Sequence, residues 1–556
     1  MKKRILALLC AAAMLLTACG APQSDEGSGT QSGTQSGTQS GTQSGTQTGN
    51  SGDTTTPGTT NTETPEVKEV YPLSTDVQLT YWSNLSSTIA GYTDNFGNTD
   101  FAKELVNRTG VEVEYIHPAA GTDSSVDFLL LEKKLPDMIE ADWAALGAEK
   151  NIAEGAIISL NDLIDKYAPN FKKYLEENPD IKKQITTDDG TIYCFPFIRG
   201  EDRLLISKGT LIRQDWLDEL GLKMPTTIAE LEKVLIAFRD QKGATAPMTE
   251  KSHRAQILGL FSTTANIHLY NGKVVYGPLT ENYKIALETL RRWYAEGLLD
   301  ANYGANSTQV YNSNVLTGKS GVAFNTGGGG LGGWLDTAAA EGIEFNLVGM
   351  AYTQIDENTP ITFFPVDANY VGLGSVAITT SCKNPELAVQ WLDYAYGEEG
   401  HNYYNFGVEG LTYEVVDGKA VYTDLINNNP NGLNQSQAMS NYFRSSMSGP
   451  FIQDADYIDQ FYYRPGQQIA LDNWTKNIEA AKAGTYPQVS FTDAEDEEVA
   501  NIMAEIKKLE KAMFANVLKG VEPMSAYDDF VAEAKKLNID RVIEIYENAL
   551  ARYNAK

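Results

Sequence analysis

The chain has 556 residues, 42% of them apolar, and its 44 Lys and Arg against 73 Asp and Glu give a formal net charge of −29. That apolar content at that length is enough for two lobes or domains with cores of their own. An acidic surface of this size disfavours nucleic acid and anionic lipid as partners, and His117, His253, His268 and His401 show no metal-ligand spacing, so no catalytic zinc is expected and no metal ligand is assigned, while Ca²⁺ is left open.

The first element in chain order is too short for a membrane span. Lys2, Lys3 and Arg4 precede Ile5 to Leu16, about twelve mostly apolar residues where a helical crossing needs roughly 20. The pattern predicts a secretory signal peptide over residues 1–18, absent from the mature protein. Its loss removes three positive charges and no negative ones, which moves the formal charge from −29 to −32. The segment closes on Leu16-Thr17-Ala18-Cys19, which resembles the lipobox of bacterial lipoproteins. That resemblance implies lipidation of Cys19, which becomes the new first residue and anchors the chain to a membrane; ordinary signal cleavage beside a stray thiol is the alternative. From Ser28 the unit Ser-Gly-Thr-Gln repeats, and "SGDTTTPGTTNTETPE" carries on to Glu66 with little charge and no large apolar residue. Such a composition cannot bury enough surface to offset the entropy of ordering, so residues 19–66 are expected to be a disordered tether. Roughly 45 residues of this type have an rms span of about 35–40 Å. Of the remaining cysteines, Cys194 and Cys382 stay in the body, where a disulfide is open but not required by a large core.

Beyond the tether the pattern alternates strands and helices. "VQLTYW" from Val77 to Trp82 reads as a strand, "TDFAKELVNRTG" as a helix closed by Gly110, and "VEVEYI" from Val111 to Ile116 as the next strand. "LPDMIEA" near Asp137 is a third, and "SLNDLIDKYA" is a helix that Ser159 can cap. The succession predicts an α/β fold with a mostly parallel sheet, whose ligands bind beyond the carboxyl ends of the strands. Those positions hold Trp82, Ser83 and Asn84 after the first strand, and Asp142 with Trp143 after the third. An aromatic face beside short polar side chains suits a sugar ring, which offers CH faces to stack and hydroxyls to hydrogen-bond; burial in the core is the alternative for each indole. Trp216, Trp293 and Trp391 sit inside helical patterns and are assigned to packing, and Trp474 has no assignment.

A longer resemblance is carried by "GAIISLNDLIDKYAPNFKKYLEENPDIKKQITTDDGTIYCFP", "LIRQDWLDELGLKMPTTIAELEKVLIAF", "NGKVVYGPLTENYKIALETLRRWYAEGLLD", "SCKNPELAVQWLDYAYGEEG" and "NFGVEGLTYEVVDGKAVYTD". With these, residues 70–556 resemble the extracellular solute-binding proteins of family 1, lipid-anchored receptors of ABC importers, and in particular the large oligosaccharide- or polysaccharide-uptake type of Gram-positive bacteria. The resemblance implies a periplasmic-binding-protein-like fold, two α/β lobes joined by a hinge around a ligand cleft, with chain crossings near Leu211 to Asp215 and near Phe364. Lobe 1 is then expected over 67–212 and about 362–425. Lobe 2 takes about 213–361 and 426–556, with a helical C-terminal part. It further implies a monomeric, non-enzymatic receptor on the extracellular face of the cell membrane. Its partners would be an oligosaccharide and the permease subunits, with no cofactor. In more distant sugar-binding members such as the maltose-binding proteins, a strand, a glycine turn and a Trp opening a helix contact sugar; "GVAFNTGGGGLGGWLD" resembles that element and marks Trp334 for stacking. Asp367 and Tyr370, at the start of "VDANYVGLGSVAI", are expected near the cleft floor or hinge.

Other motifs point elsewhere. Gly327, Gly329 and Gly332 satisfy G-x-G-x-x-G after a strand, as a dinucleotide site would. "GKS" at Gly318 fails as a phosphate loop because Ser313 stands where the first glycine is needed, and neither G-x-S-x-G nor H-E-x-x-H occurs. "TDAEDEEV" near Asp493 reads as a solvated helix start. An exported glycoside hydrolase is the alternative class, and it requires two carboxylates facing each other across the cleft.

Overall fold

The computed structural model describes residues 71–118, 126–132 and 134–556. The expected signal peptide, Cys19 and the linker to Glu66 lie outside the described residues. The described residues form one compact unit.

Two hydrophobic clusters divide that unit, and the chain passes between them three times. The first passage supplies β1 (Gln78–Trp82), β2 (Glu112–Ile116), β3 (Met138–Ala141) and β4 (Phe195–Arg199). The second supplies β5 (Lys208–Arg213), the hairpin β6 (Ile267–Tyr270) and β7 (Lys273–Tyr276), then β8 (Val322–Thr326) and β9 (Leu347–Met350). The chain then returns through β10 (Tyr370–Ile378), the hairpin β11 (Tyr413–Val416) and β12 (Lys419–Tyr422), and β13 (Ile452–Gln453). Strands of the first cluster make one sheet in the order β13-β4-β10-β3-β1-β2. β1 runs parallel to β2 and β3, and β13 parallel to β4, while the returning β10 is antiparallel to both its neighbours. The second cluster holds a three-stranded sheet, β8-β5-β9, which is antiparallel throughout. A mostly parallel sheet therefore describes the first lobe alone.

Local sequence explains the frame. Thr99 accepts a hydrogen bond from the Ala102 amide to open the helix Asp100–Thr109, and Gly110 ends it in the left-handed conformation (φ 74°). The helix Asp493–Leu518 starts on a Thr492/Glu495 capping box and, with Ser525–Lys536 and Ile539–Ala555, packs into the second cluster through Ile506, Phe514, Phe530 and Val542. One expected cap is displaced. The helix after Ser159 begins at Asn161, whose side chain instead accepts from the Ile192 amide and donates to the Gly190 carbonyl. Leu160 is buried beside it, so packing of that apolar residue sets the helix start.

Two of the expected lobe boundaries move. Leu211 and Ile212 belong to the middle strand of the second sheet, and the first passage between clusters falls earlier, between Leu204 and Leu205. Residues from Ile426 to Tyr462, expected in the second lobe, pack into the first cluster through Ile426, Met439, Phe443 and Phe451. Periodicity shows which face of a helix is apolar but not which of two cores that face joins. The chain leaves again after Tyr462 along the helix Pro465–Trp474, whose Ala470 and Trp474 join the second cluster while Leu471 still packs into the first. Trp474, unassigned from sequence, then seals the second core. Its indole donates to the Thr210 carbonyl at 2.9 Å, and a Cβ on Gly209 or Gly349 would come within 2.5 or 2.3 Å of its helix.

Candidate functional site

The passages between the lobes are knitted to one another. The Arg199 amide at the end of β4 donates to the Asn369 carbonyl at 2.8 Å, and the Asp367 amide donates to the Leu205 carbonyl at 2.8 Å. Asp367 Oδ2 also accepts from Ser207 Oγ at 2.9 Å and pairs with Arg199 at 3.1 Å. Asp367 thus ties two crossings into a two-stranded hinge.

Beside the hinge a groove of about 950 Å³ separates the lobes. One wall is the first residues of the helix Ser87–Ala90 and the segment from Asn427 to Phe461; the other is the glycine turn Gly327–Gly332 and the helix Gly333–Glu341. A smaller space of about 320 Å³ continues it toward the hinge and shares Gly328, Gly329 and Phe461 with it. The glycine run is explained by close approach. A Cβ on Gly327 would lie 2.6 Å from the Tyr462 ring and one on Gly328 2.7 Å from Phe461, whereas Gly329 and Gly333 face open space. Dinucleotide binding is not supported by this turn: β8 pairs antiparallel with β5, without the parallel crossover such a site requires.

Seven Asn and Gln side chains line the groove, and its two charged residues, Asp336 and Arg464, form an ion pair with each other. The amides are anchored. Gln467 donates to the Gly327 carbonyl and accepts from the Arg464 amide, while Asn434 and Gln437 cap a helix reciprocally through their side-chain oxygens. That capping leaves the two amide NH2 groups without a hydrogen bond among the described residues. Tyr463, 58% exposed, supplies the aromatic face, with the Arg464 guanidinium 4.2 Å from its ring centre.

The sequence-predicted stacking residues lie elsewhere. All seven indoles are at most 5% exposed. Trp143 turns back to donate to the Ile139 carbonyl at 3.0 Å, and Trp334 donates to Asn312 Oδ1 at 3.0 Å with its ring 5.5 Å from Tyr311. Trp82 is buried on β1, and Tyr370 is buried with its hydroxyl 3.4 Å from those of Tyr193 and Ser375. The strand, glycine turn and helix form where expected, but Trp334 packs behind the turn rather than into the groove. An indole has more apolar surface than any other side chain, and position after a strand does not decide whether that surface faces ligand or core. Asn84 is exposed and lines none of these cavities. Asp142 lines a second groove and caps the turn after β3 by accepting from the Ala145 amide. The residues that do line the first groove had a signal in the sequence: "NNNPNGLNQSQ", residues 427–437, is far denser in amides than its surroundings. Tyr463 had none.

The second groove, of about 890 Å³, also has walls from both lobes, but Asp142, Glu149, Asp493, Asp496 and Glu497 face it with Lys150 as the one cation among the described residues. Burial, then the charges of Asp493 and Glu495, push the Asp496 carboxyl above its ordinary value. The lobes are bridged nearby. Arg552 on the last helix reaches Asp188 of the first lobe at 2.6 Å and Glu495 of its own at 2.7 Å, and Lys556 reaches Asp188 at 3.1 Å. Among the described residues no group of three or more His, Cys, Asp and Glu could hold a metal ion, and no helix is long and apolar enough to cross a membrane. Cys194 and Cys382 are both free thiols, pushed up to about 12 by burial.

Comparison with known proteins places this architecture. The chain is 30% identical over 311 residues to the fructooligosaccharide ABC transporter substrate-binding protein FusA of Streptococcus pneumoniae, covering 49% of this chain and 58% of that protein. It is 25% identical over 400 residues to lipoprotein LipO of Bacillus subtilis, covering 68% and 77%. The match thus spans a little over half of FusA's length. In fold it is similar to the alginate-binding protein AlgQ2, with a TM-score of 0.66 at 22% identity over 86% of this chain and 98% of that one. An HMO-binding, ABC-transporter-associated solute-binding protein from Bifidobacterium longum infantis gives 0.69 at 18% identity over 86% and 99%. Both neighbours are named as binding proteins. Residues 93–402, more than half of the chain, match the family model itself, and the chain belongs to the bacterial extracellular solute-binding proteins.

Proposed function

We propose that this chain is the lipid-anchored extracellular substrate-binding component of an ABC importer, which captures an oligosaccharide by hinge closure and delivers it to the permease. The observation that carries the reading is the first groove between the lobes: anchored amides and one exposed tyrosine facing a glycine turn, beside a two-stranded hinge. Sugars need that combination, since each hydroxyl both donates and accepts while the ring's CH face seeks an aromatic. Closure around the ligand changes the relative position of the lobes, which gives a permease a state to recognise. The substrate-binding roles of FusA and the Bifidobacterium protein support the reading. Lipidation at Cys19 after removal of residues 1–18, a tether to residue 66, and a monomeric body on the extracellular face complete it.

A glycoside hydrolase would need two carboxylates across the same groove, and its lining contains one, Asp336, already paired with Arg464. Binding without turnover is therefore proposed. The test is a thermal-shift screen of oligosaccharides on residues 67–556. A ligand at 100 times its dissociation constant should add roughly 2.7 kcal/mol of stability, and the recovered sugar should be unchanged. A screen in which no sugar shifts the transition, or in which a bound sugar is cleaved, overturns the proposal.

A further inference from the structure

We infer that the first groove selects uncharged oligosaccharides and that the Asp336–Arg464 ion pair excludes acidic ones, an inference that rests on the sugar-binding reading of that groove. Fold and family leave this open, because their members include proteins named for a neutral fructooligosaccharide and for alginate, a polyuronate. The lining decides it. A uronate carboxylate is bound well by a guanidinium fork and poorly by a site that strips its water without supplying a countercharge. Among the described residues the only cation lining the groove is Arg464, and the Asp336 carboxylate already occupies it. In the continuation toward the hinge the only cation among the described residues is Arg199, and Asp367 occupies that one. The pairing is asymmetric in exposure: the Arg464 side chain is 18% exposed and that of Asp336 59%, so the face presented to an incoming ligand is the carboxylate.

What remains in the groove is neutral and two-sided. Amide NH2 groups donate, amide oxygens accept, and the Ser87, Thr88 and Ser436 hydroxyls do both, which matches hydroxyls rather than carboxylates. The groove and its continuation together exceed the roughly 300–1,000 Å³ typical of sites for one small molecule, so an oligomer rather than a single ring fits the space. The strongly acidic surface of the whole chain adds a long-range repulsion of polyuronates.

The test is calorimetric titration of the full chain, purified in detergent micelles, with two sets of tetrasaccharides. Nystose, maltotetraose, cellotetraose, xylotetraose and mannotetraose are the neutral set; tetragalacturonate and tetramannuronate are the acidic set. At least one neutral sugar is expected to bind, and neither uronate at tenfold higher concentration. In Asp336→Asn, which removes the carboxylate and leaves the Arg464 cation, the ratio of uronate to neutral affinity should rise by about tenfold. A uronate that binds the native chain as tightly as its best neutral sugar overturns the inference while the sugar-binding reading stands. An unchanged ratio in Asp336→Asn overturns the role of the ion pair. Failure of every sugar in both sets removes the reading and the inference together.

Discussion

The two grooves between the lobes are nearly equal in size, about 950 and about 890 Å³, and opposite in character. The first presents seven amides, one exposed tyrosine and a self-neutralised ion pair; the second presents five carboxylates against one lysine and is spanned nearby by Arg552 and Asp188. Volume therefore does not identify the site. A neutral polyol gains from a wall that donates and accepts without charge. It gains little from carboxylates that keep their own water and repel each other. On the proposed reading the first groove holds ligand between the lobes, whereas the second is bridged nearby by contacts the lobes make with one another.

The strongest way to break this contrast is to attack the wall behind the first groove. Trp334→Ala removes a buried indole and its bond to Asn312, and should cost about 3–5 kcal/mol of stability in denaturant unfolding. An unchanged unfolding midpoint would mean that the ring is not core and would return it to the ligand. Next in size is Tyr463→Ala. Its ring is more than half exposed, so the midpoint should stay put while sugar affinity falls by about tenfold, the loss of one stacked face. Equal affinity in the variant would transfer the aromatic role to Phe461, the other ring on that wall.

What the sequence made legible follows the range of each signal. Short-range chemistry came through: the helix closed by Gly110, the helix start in the acidic run at Asp493, and the strand, glycine turn and helix around Trp334 all form where expected. Long-range choices did not. Trp82, Trp143, Trp334 and Tyr370 have the right positions for a cleft, yet each turns to a core partner many residues away or to its own strand. The segment from Ile426 to Tyr462 joins the first core because Met439, Phe443 and Phe451 find their partners there, and no local pattern distinguishes one core from the other. Asp367 lies at the hinge because two crossings meet at it. The amide run at 427–437 was readable as composition, but its meaning depends on the facing wall, more than 90 residues earlier in the chain.

The smallest expected effect belongs to the bridge near the second groove. Arg552→Ala removes the link to Asp188 and Glu495, partly exposed pairs that should contribute under ~1 kcal/mol at low salt. Because the contribution is electrostatic, the difference in midpoint between native and variant chains should shrink in ~1 M salt, where the screening length falls to about 3 Å. Its pH dependence has a definite sign. Burial acts to raise the Glu495 carboxyl, and the Arg552 fork with the Thr492 backbone outweighs it, so Glu495 is held below its ordinary value. A lowered carboxyl contributes stability above its unfolded value and loses it as pH falls through the folded one. Asp496 runs the other way. Its raised carboxyl costs stability at neutral pH, and the cost is relieved as pH falls through that raised value. Mild acidification should therefore ease the repulsion in the second groove before it breaks the bridge. The Arg552→Ala difference should persist at about pH 5 and shrink as pH falls through the lowered Glu495 value toward pH 3, while the first groove, whose amides do not titrate, keeps its sugar affinity between about pH 7 and pH 5. A difference that survives both high salt and pH 3 would make Arg552 a packing residue, and the second groove would then be held by surface complementarity rather than by charge.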